Sequence, residues 1–156
     1  MENCYAIYKT DIGYIKIDYN ENAIIGLKII IDTDVNNEGI KTELTTKTFT
    51  QVNEYLNGER KQFNIPIAPQ GTEFQKKVWQ ALCNIPYGKT VSYKEIAEKI
   101  GNDKACRAVG MANNKNPIMI IIPCHRVIGK NGKLTGYAGG LDLKSFLLDL
   151  EKKNEL

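Results

Sequence analysis

"VSYKEIAEKIGNDKACRAVGMANNKNP", residues 91–117, predicts two short helices joined across Gly101. Ser92 and Glu95 have the spacing of a capping box, so we expect the first helix to begin directly after Ser92. Gly101 stands where a helix commonly ends. A second helical pattern follows and stops before Pro117. Two such helices joined by a turn of about three residues are typical of a helix-turn-helix.

The second helix of this pair has two predicted faces. Small and apolar residues make the inner face: Ala105, Ala108, Val109 and Ala112. The outer face carries Lys104, Arg107, Met111, Asn114 and Lys115. In a helix-turn-helix such an outer face enters a groove of DNA. A helical hairpin with a solvated polar face gives the same pattern, so these residues leave both interpretations open.

Upstream of the pair, the sequence predicts another helix and then a domain boundary. "GTEFQKKVWQALC" opens with Thr72 and Gln75, which form a second capping box. Phe74, Val78 and Leu82 make its apolar stripe. "PIAPQG", residues 66–71, holds two prolines and a glycine, so we place the boundary near residue 70. The expected domains are residues 1–70 and 71–156.

The first 70 residues predict a small antiparallel sheet followed by a helix. "CYAIY", "YIKIDY" and "AIIGLKIII" are rich in Ile and Tyr and are separated by turn signals. "LTTKTFTQVNEYLNG" places Phe49, Val52 and Leu56 at helical spacing. "KQFNI", residues 61–65, is expected to add a short strand.

Downstream of the pair, "IMIII" predicts a strand that leads into "PCHR", residues 123–126, which holds the single histidine of the chain. Asn131-Gly132 is a hairpin signal, and the glycines after it predict a tight loop. The final helix, "LDLKSFLLDLEKK", is expected to bury Leu143, Phe146, Leu147 and Leu150, with Glu151 beside that face.

Cys124 followed by His125 suggests an activated nucleophile. A thiol reacts as its thiolate, and a nearby imidazole takes the proton. Adjacent residues of an extended strand face opposite sides, so a turn after Pro123 is needed to bring both into one pocket. A carboxylate behind the imidazole would fix its tautomer, and Glu151 is the candidate. A solvated surface glutamate is the alternative interpretation of Glu151.

Composition excludes several classes. No apolar run approaches the ~20 residues of a membrane span, and "MENCYAIYKTD" lacks the apolar core of a signal peptide, so we expect a cytoplasmic protein. The four cysteines are scattered and only one histidine is present, which favours free thiols over a metal site or disulfides. Residues 1–70 carry 7 Lys/Arg and 10 Asp/Glu, and residues 71–156 carry the other 14 and 8. The basic half favours a polyanionic partner.

Four segments together resemble the O6-alkylguanine-DNA alkyltransferases, also called methylated-DNA–protein-cysteine methyltransferases. They are "GTEFQKKVWQAL", "IPYGKTVSYKEIA", "RAVGMANNKNP" and "NPIMIIIPCHRVIGKNGKLTGYAGGL". The resemblance covers residues 71–151, whereas in residues 1–70 only the order of strands and helix agrees. It implies an α+β fold with a small N-terminal ribonuclease H-like α/β domain and a C-terminal winged helix-turn-helix-like domain.

The resemblance also implies a role for each matching residue. Cys124 is similar to the alkyl acceptor, His125 to its base acting through a water, and Glu151 to the support of His125. Asn116 resembles the residue that braces the active-site turn. Arg107 resembles the arginine finger that fills the gap in the base stack, and Tyr93 resembles the tyrosine that helps rotate the nucleotide out of the duplex. The other implied DNA-binding residues are Lys104, Ala105, Asn114, Lys115 and Arg126. The implied base pocket consists of Asn113, Val127, Tyr137 and Ala138.

The implied function is direct-reversal repair of double-stranded DNA containing O6-alkylguanine. One alkyl group moves irreversibly to Cys124 from an extruded base, and the protein is then spent. We expect a monomer without cofactor or membrane, and no zinc, because residues 1–70 hold one cysteine and no histidine. Some family members have a larger apolar residue in place of Asn113. The resemblance therefore leaves open whether bulky alkyl groups and O4-methylthymine are accepted as substrates. Three alternatives are a lesion sensor without chemistry, a Cys-His-Glu hydrolase and a structural winged-helix protein.

Overall fold

A computed structural model gives the fold and describes residues 4–31, 35–134, 137 and 140–155. The chain divides into two compact units. The first unit comprises Met1–Gln70 and Pro117–Met119, and the second comprises Gly71–Asn116 and Ile120–Leu156. Strands with one helix make up the first unit and helices dominate the second, which confirms the predicted α+β class.

The first unit is built on an antiparallel sheet of three strands in sequence order: β1 (Cys4–Thr10), β2 (Gly13–Tyr19) and β3 (Ile24–Ile30). Ala6 pairs with Ile17, and Ile17 pairs with Leu27, and all three are buried. Side chains of directly paired residues lie on the same face of a sheet, so these three form one apolar row. Residues 61–65 form no strand, which corrects the prediction; the bridge that follows them joins Ile67 to Ile24 in parallel.

One helix, α1 (Glu43–Leu56), completes the first unit. Thr42 caps it and exchanges capping-box hydrogen bonds with Thr45, whose hydroxyl also lies 2.8 Å from the Tyr8 hydroxyl. Val52 and Tyr55 are buried, so the predicted helix is confirmed. Phe49 is half-buried and stacks on the Tyr8 ring at 4.5 Å.

The second unit contains four helices: α2 (Glu73–Leu82), α3 (Tyr93–Lys99), α4 (Cys106–Asn114) and α5 (Leu141–Lys153). Both predicted capping boxes, at Thr72 and at Ser92, are present. Trp79 of α2 donates from its indole nitrogen to the Ala112 carbonyl at 2.8 Å. This bond fixes the end of α4 against α2.

The connection between α3 and α4 is longer than predicted, because α4 begins only at Cys106 and Ala105 caps it without a side-chain hydrogen bond. The buried stripe of α4 also differs from the predicted one. Val109, Ala112 and Asn113 are buried, whereas Ala108 is exposed. The true stripe therefore lies slightly further round the helix, on the side of Asn113.

Two short parallel strands, β4 (Val91–Ser92) and β5 (Val127–Ile128), join the start of α3 to the segment after His125. The predicted strand at 118–122 is absent: Ile118 makes one bridge to Leu27, and a turn follows. Ile120 in that turn is buried and has a positive φ of 73°. At Asn131-Gly132 the chain forms a tight 3-10 turn, and the described residues around it contain no hairpin strands.

Helix α5 buries a different face from the one expected. Leu143 and Leu147 are buried as predicted, but Phe146 is 40% exposed and Leu150 is half-buried. Lys144 and Glu151 are buried instead, because both make hydrogen bonds inside the unit. None of the helices in the described ranges combines the length and the apolar composition that a membrane span requires.

Candidate active site

The "PCHR" segment forms the tight turn that the Cys-His interpretation requires. Residues Cys124–Arg126 make one 3-10 turn, entered from Pro123 with φ −80° and ψ 64°. The Arg126 amide donates to the Pro123 carbonyl at 3.0 Å. In such a turn successive side chains point about 120° apart instead of to opposite faces. Cys124 and His125 therefore both lie within the core of the second unit.

Two asparagines fasten this turn through backbone carbonyls. Asn116 donates from Nδ2 to the Ile122 carbonyl at 2.8 Å, and Asn113 donates from Nδ2 to the Cys124 carbonyl at 3.3 Å. Both side chains are buried. These bonds hold the backbone carbonyls on either side of Pro123, and the role of Asn116 in the reaction stays a prediction.

Cys124 is 1% exposed, so its thiol is almost entirely removed from solvent. Burial raises the pKa of the Cys124 thiol to about 11, against smaller opposing effects of Asn116 and the Lys144 charge. Ionisation of this sulfur therefore requires a base that takes its proton during the reaction.

His125 and Glu151 form a buried pair, with His125 Nε2 2.5 Å from Glu151 Oε2. Burial lowers the pKa of His125, although Glu151 opposes this effect. For Glu151 burial alone would raise the pKa, but hydrogen bonds from His125 and Arg126 outweigh it and lower the pKa to about 2. An ionised carboxylate only accepts, so Nε2 carries the proton and Nδ1 of the neutral imidazole keeps its lone pair. Nδ1 is therefore the atom that can act as a base.

Arg126 is not on a DNA-facing surface, which corrects the expectation from sequence. It is 6% exposed, and it donates from Nε to Glu151 Oε1 at 2.8 Å and from Nη2 to Glu151 Oε2 at 3.0 Å. Nη1 donates to the Ile85 carbonyl at 2.7 Å. The two parallel bonds hold the Glu151 carboxylate in one orientation, so the guanidinium is committed to the interior.

Lys144 of α5 is a fully buried lysine that was not among the predicted site residues. Its Nζ donates to the Val127 carbonyl at 2.6 Å, and burial lowers its pKa. The sequence spacing could have indicated that Lys144 is buried. Lys144, Leu147 and Glu151 are three and then four residues apart, so they share one helix face. The Gly88 amide was also missed; it donates to Glu151 Oε1 at 3.0 Å.

The remaining expected residues fall into two groups. Val127, which directly follows the turn, and Tyr137 are both buried, whereas Ala138 lies outside the described residues. Tyr93 is half-buried at the start of α3, directly after β4, and Ala105 is half-buried before α4. Five of the expected residues are exposed on α4 and its flanks: Lys104, Arg107, Met111, Asn114 and Lys115.

The four cysteines all lie in the described ranges and form no disulfide, and Cys124 alone among them is buried. In the part of the chain that the structure describes, no three His, Cys, Asp or Glu side chains are placed to hold a metal ion. The chemistry that the second unit offers is thus that of a thiol, an imidazole and a carboxylate with a bound guanidinium.

Comparison with known proteins places both units in one family. Residues 3–69 match the ribonuclease-like domain of 6-O-methylguanine DNA methyltransferase, and residues 73–153 match the DNA binding domain. A methylated-DNA–protein-cysteine methyltransferase of Methanosarcina acetivorans is 54% identical, covering 94% of this chain and 97% of the relative. The constitutive protein of that name from Bacillus subtilis is 44% identical, covering 96% of each chain.

A comparison with solved structures supports the same family. Mycobacterium tuberculosis OGT, crystallised in complex with DNA, matches with a TM-score of 0.87 and 43% identity over 96% of this chain and 93% of that one. The resemblance predicted from sequence is thereby confirmed, and the chain belongs to the 6-O-methylguanine DNA methyltransferase family.

Proposed function

We propose that this protein repairs O6-alkylguanine in duplex DNA by moving the alkyl group to Cys124 Sγ, once per molecule. The observation that carries the proposal is the buried His125–Glu151 pair, which leaves a neutral imidazole as the base in the turn that holds the thiol. The names of the relatives and the DNA complex of the tuberculosis protein support the choice of substrate.

The transfer is a displacement at the alkyl carbon. The Cys124 proton passes towards His125 Nδ1, the sulfur forms a bond to the alkyl carbon, and the carbon–O6 bond breaks. The electron pair of that bond stays on the base, which takes up one proton at N1 and becomes ordinary guanine. Glu151 stabilises the imidazolium that forms in between. The thioether product needs no cofactor, and nothing in the step regenerates the thiol.

The target atom lies inside the duplex, so the base must leave the stack before it reaches the buried sulfur. We assign the opening of the duplex to the exposed face of α4 and its flanks, with Arg107 as the side chain that replaces the extruded base. Lys104, Asn114 and Lys115 are exposed beside it and are suited to phosphates. Tyr93 is assigned to nucleotide rotation and Tyr137, Val127 and Ala138 to the base pocket.

The decisive experiment measures label transfer from a duplex that carries methyl-labelled O6-methylguanine. We expect label on Cys124 that saturates near one methyl per chain and is absent in Cys124→Ala. Repeated turnover would contradict the proposal and favour an enzyme such as a hydrolase. Binding to the duplex without transfer would contradict it in favour of a lesion sensor.

The role of Arg107 has its own test. Arg107→Ala should slow repair of the duplex by at least tenfold, because the gap in the stack is no longer filled. Its reaction with free O6-benzylguanine should stay close to that of the wild type, since a free base needs no extrusion. Equal slowing of both reactions would show that Arg107 does not act on the duplex.

We also propose that the protein acts as a monomer in the cytoplasm. Analytical ultracentrifugation and fractionation of cells that express the tagged chain test these two statements. Sedimentation as a dimer, or recovery with membranes, would contradict them.

A further inference from the structure

The Glu151 carboxylate is shared between the imidazole and a permanent cation, and the mechanism above gives that cation no part. Glu151 Oε2 lies 2.5 Å from His125 Nε2. The Arg126 guanidinium donates to both carboxylate oxygens, at 2.8 Å to Oε1 and at 3.0 Å to Oε2. The Gly88 amide also donates to Oε1, at 3.0 Å. One negative charge thus binds two side chains, of which the guanidinium is always protonated.

These three side chains are removed from water, so their charges must balance inside the unit. His125 is 0% exposed, Glu151 is 1% exposed and Arg126 is 6% exposed. A charge without a counter-charge costs far more free energy in such an interior than in water. Glu151 and Arg126 together are neutral, so a further proton on His125 would leave the group with a net positive charge.

Helix α5, which packs against the turn, adds a second cation. It supplies Lys144 besides Glu151, and Lys144 Nζ donates to the Val127 carbonyl at 2.6 Å. Burial lowers the pKa of His125 most, Glu151 opposes that effect, and the charges of Arg126 and Lys144 add to it. The cations around the imidazole therefore favour its neutral form.

Helix α2 also packs against the turn, and the side chains that it buries are apolar: Val78, Trp79, Ala81 and Leu82. Its charged residues are exposed, namely Glu73, Lys76 and Lys77. Loss of solvent raises the pKa of the thiols and phenols that interact with the charged group, so they are neutral at neutral pH. They belong to Cys83, Tyr87, Cys124 and Tyr137. The balance of charge at His125 thus depends on Glu151, Arg126 and Lys144.

The guanidinium decides which form of the imidazole is favoured. A carboxylate bonded to a buried imidazole without such a cation favours the imidazolium, because the opposite charge stabilises the charged form. An imidazolium has no lone pair and cannot take a proton from a thiol. A guanidinium stays protonated in proteins, so it balances Glu151 at every pH at which the protein works. Stability does not demand such a pair, since packed apolar residues often replace buried ions without loss.

We propose that Arg126 is a positioning residue of the reaction: by balancing the charge of Glu151, it keeps His125 neutral and able to accept a proton. The proton is the one that Cys124 Sγ loses when it attacks the alkyl carbon, so this inference rests on the proposed function. The neutral imidazole itself is a property of the protein without DNA and can be measured separately.

The test follows the imidazole by NMR in the protein without DNA, where the single histidine of the chain gives one set of ring signals. The nitrogen shifts distinguish the neutral ring from the imidazolium during a titration between about pH 5 and 9. In Arg126→Met the pKa of His125 should rise by about one to three pH units, because the carboxylate then acts on the ring without its counter-charge.

Further variants separate the effect of charge from that of packing. Arg126→Lys keeps the positive charge and should leave the pKa of His125 near the wild-type value. The double variant Arg126→Met/Glu151→Gln removes both charges, so it should return this pKa towards the wild-type value, which damage to the packing would not do. Arg60→Met breaks an Arg–Glu pair of the first unit, with 3.0 Å between Arg60 Nε and Glu54 Oε1, and should leave the pKa unchanged. Arg126→Gln replaces the methionine variant if that one does not fold.

Methyl transfer from a duplex that carries O6-methylguanine gives the second readout. The pH below which the rate falls should rise in Arg126→Met together with the pKa of His125, while affinity for the duplex stays the same because Arg126 is buried. The inference is overturned if the imidazole titrates at the same pH with and without Arg126, if the double variant keeps the raised pKa, or if the pH profile of transfer does not move. Failure of the wild type to transfer methyl would instead overturn the proposed function, and the titration alone would then decide the charge balance.

Discussion

The two units bury different kinds of polar side chain. Among the described residues, the first unit buries only neutral polar groups: Thr45, Thr48 and Gln51. The second unit buries the neutral Asn113 and Asn116 and, in addition, side chains of the acidic and basic residue types, namely His125, Arg126, Lys144 and Glu151. Neutral polar groups are therefore buried in both units, whereas buried charged groups occur in the second.

Two of the neutral side chains are satisfied by hydrogen bonds to backbone groups. The Thr48 hydroxyl donates to the Leu44 carbonyl at 2.8 Å, and Gln51 Oε1 accepts from the Asn64 amide at 2.9 Å. Such bonds keep helix and neighbouring loop in place. Buried charges cost much more to desolvate, and well-packed apolar residues often replace them without loss of stability. Their presence around Cys124 is therefore better explained by chemistry than by folding.

The largest effect should come from removing the shared carboxylate. Glu151→Gln leaves the Arg126 guanidinium buried without its anion, so we expect the free energy of unfolding to fall by roughly 3–5 kcal/mol. Urea unfolding of purified protein measures it. Asp149→Asn, an exposed acid on the same helix, is the matched control and should change stability by less than about 0.5 kcal/mol. If Glu151→Gln lowered the free energy of unfolding by less than about 1 kcal/mol, the buried charges of the second unit would contribute no more than the buried neutral groups of the first.

Low pH should reduce the difference in unfolding free energy between the wild type and Glu151→Gln. The pKa of Glu151 lies at about 2 in the fold against an ordinary value of 4.5. A lowered pKa stabilises the fold above the unfolded-state pKa, and that contribution disappears as the pH falls from about 4.5 towards 2. The shift corresponds to about 3 kcal/mol. The gap in unfolding free energy between wild type and Glu151→Gln should therefore narrow over this range, and a gap independent of pH would contradict the assignment.

The smallest effect is expected in the first unit. Gln51→Leu removes the acceptor of the Asn64 amide, so we expect a loss of roughly 1–2 kcal/mol in unfolding free energy. Methyl transfer at saturating duplex should stay unchanged, because Gln51 belongs to a unit that holds none of the proposed reacting groups. Gln62→Leu, at an exposed position, serves as the control. A transfer defect in Gln51→Leu alone would show that the first unit also serves the chemistry.

Features set by neighbours in sequence could be predicted. The capping boxes at Thr72 and Ser92 depend on residues three apart, and both were found. The strands of the sheet could be predicted because runs rich in Ile and Tyr are separated by turn signals. "IMIII" failed because an uninterrupted apolar run does not distinguish a strand from a buried turn, and here Ile120 reverses the backbone.

Pairings across long separations could not be predicted. Arg126 resembles any basic residue of a DNA-binding domain until Glu151, 25 residues away, is brought against it. Lys144 was overlooked for the same reason, since its partner is the carbonyl of Val127 and backbone acceptors leave no mark in a sequence. By contrast, the grouping of Cys124, His125 and Glu151 followed from chemical type and family resemblance. Their roles in the reaction stay predictions.

The segment Pro117–Met119 belongs to the first unit although it lies between two parts of the second. The Leu27 amide donates to the Pro117 carbonyl at 2.8 Å, the Met119 amide donates to the Leu27 carbonyl at 3.0 Å, and Ile118 between them is fully buried. A fragment that begins at residue 71 would therefore keep the segment Pro117–Met119 without β3, the strand with which it makes these hydrogen bonds. Dissection of this protein into separately expressed halves should yield a C-terminal piece prone to aggregation through the unpaired backbone groups and the apolar side chain of this segment.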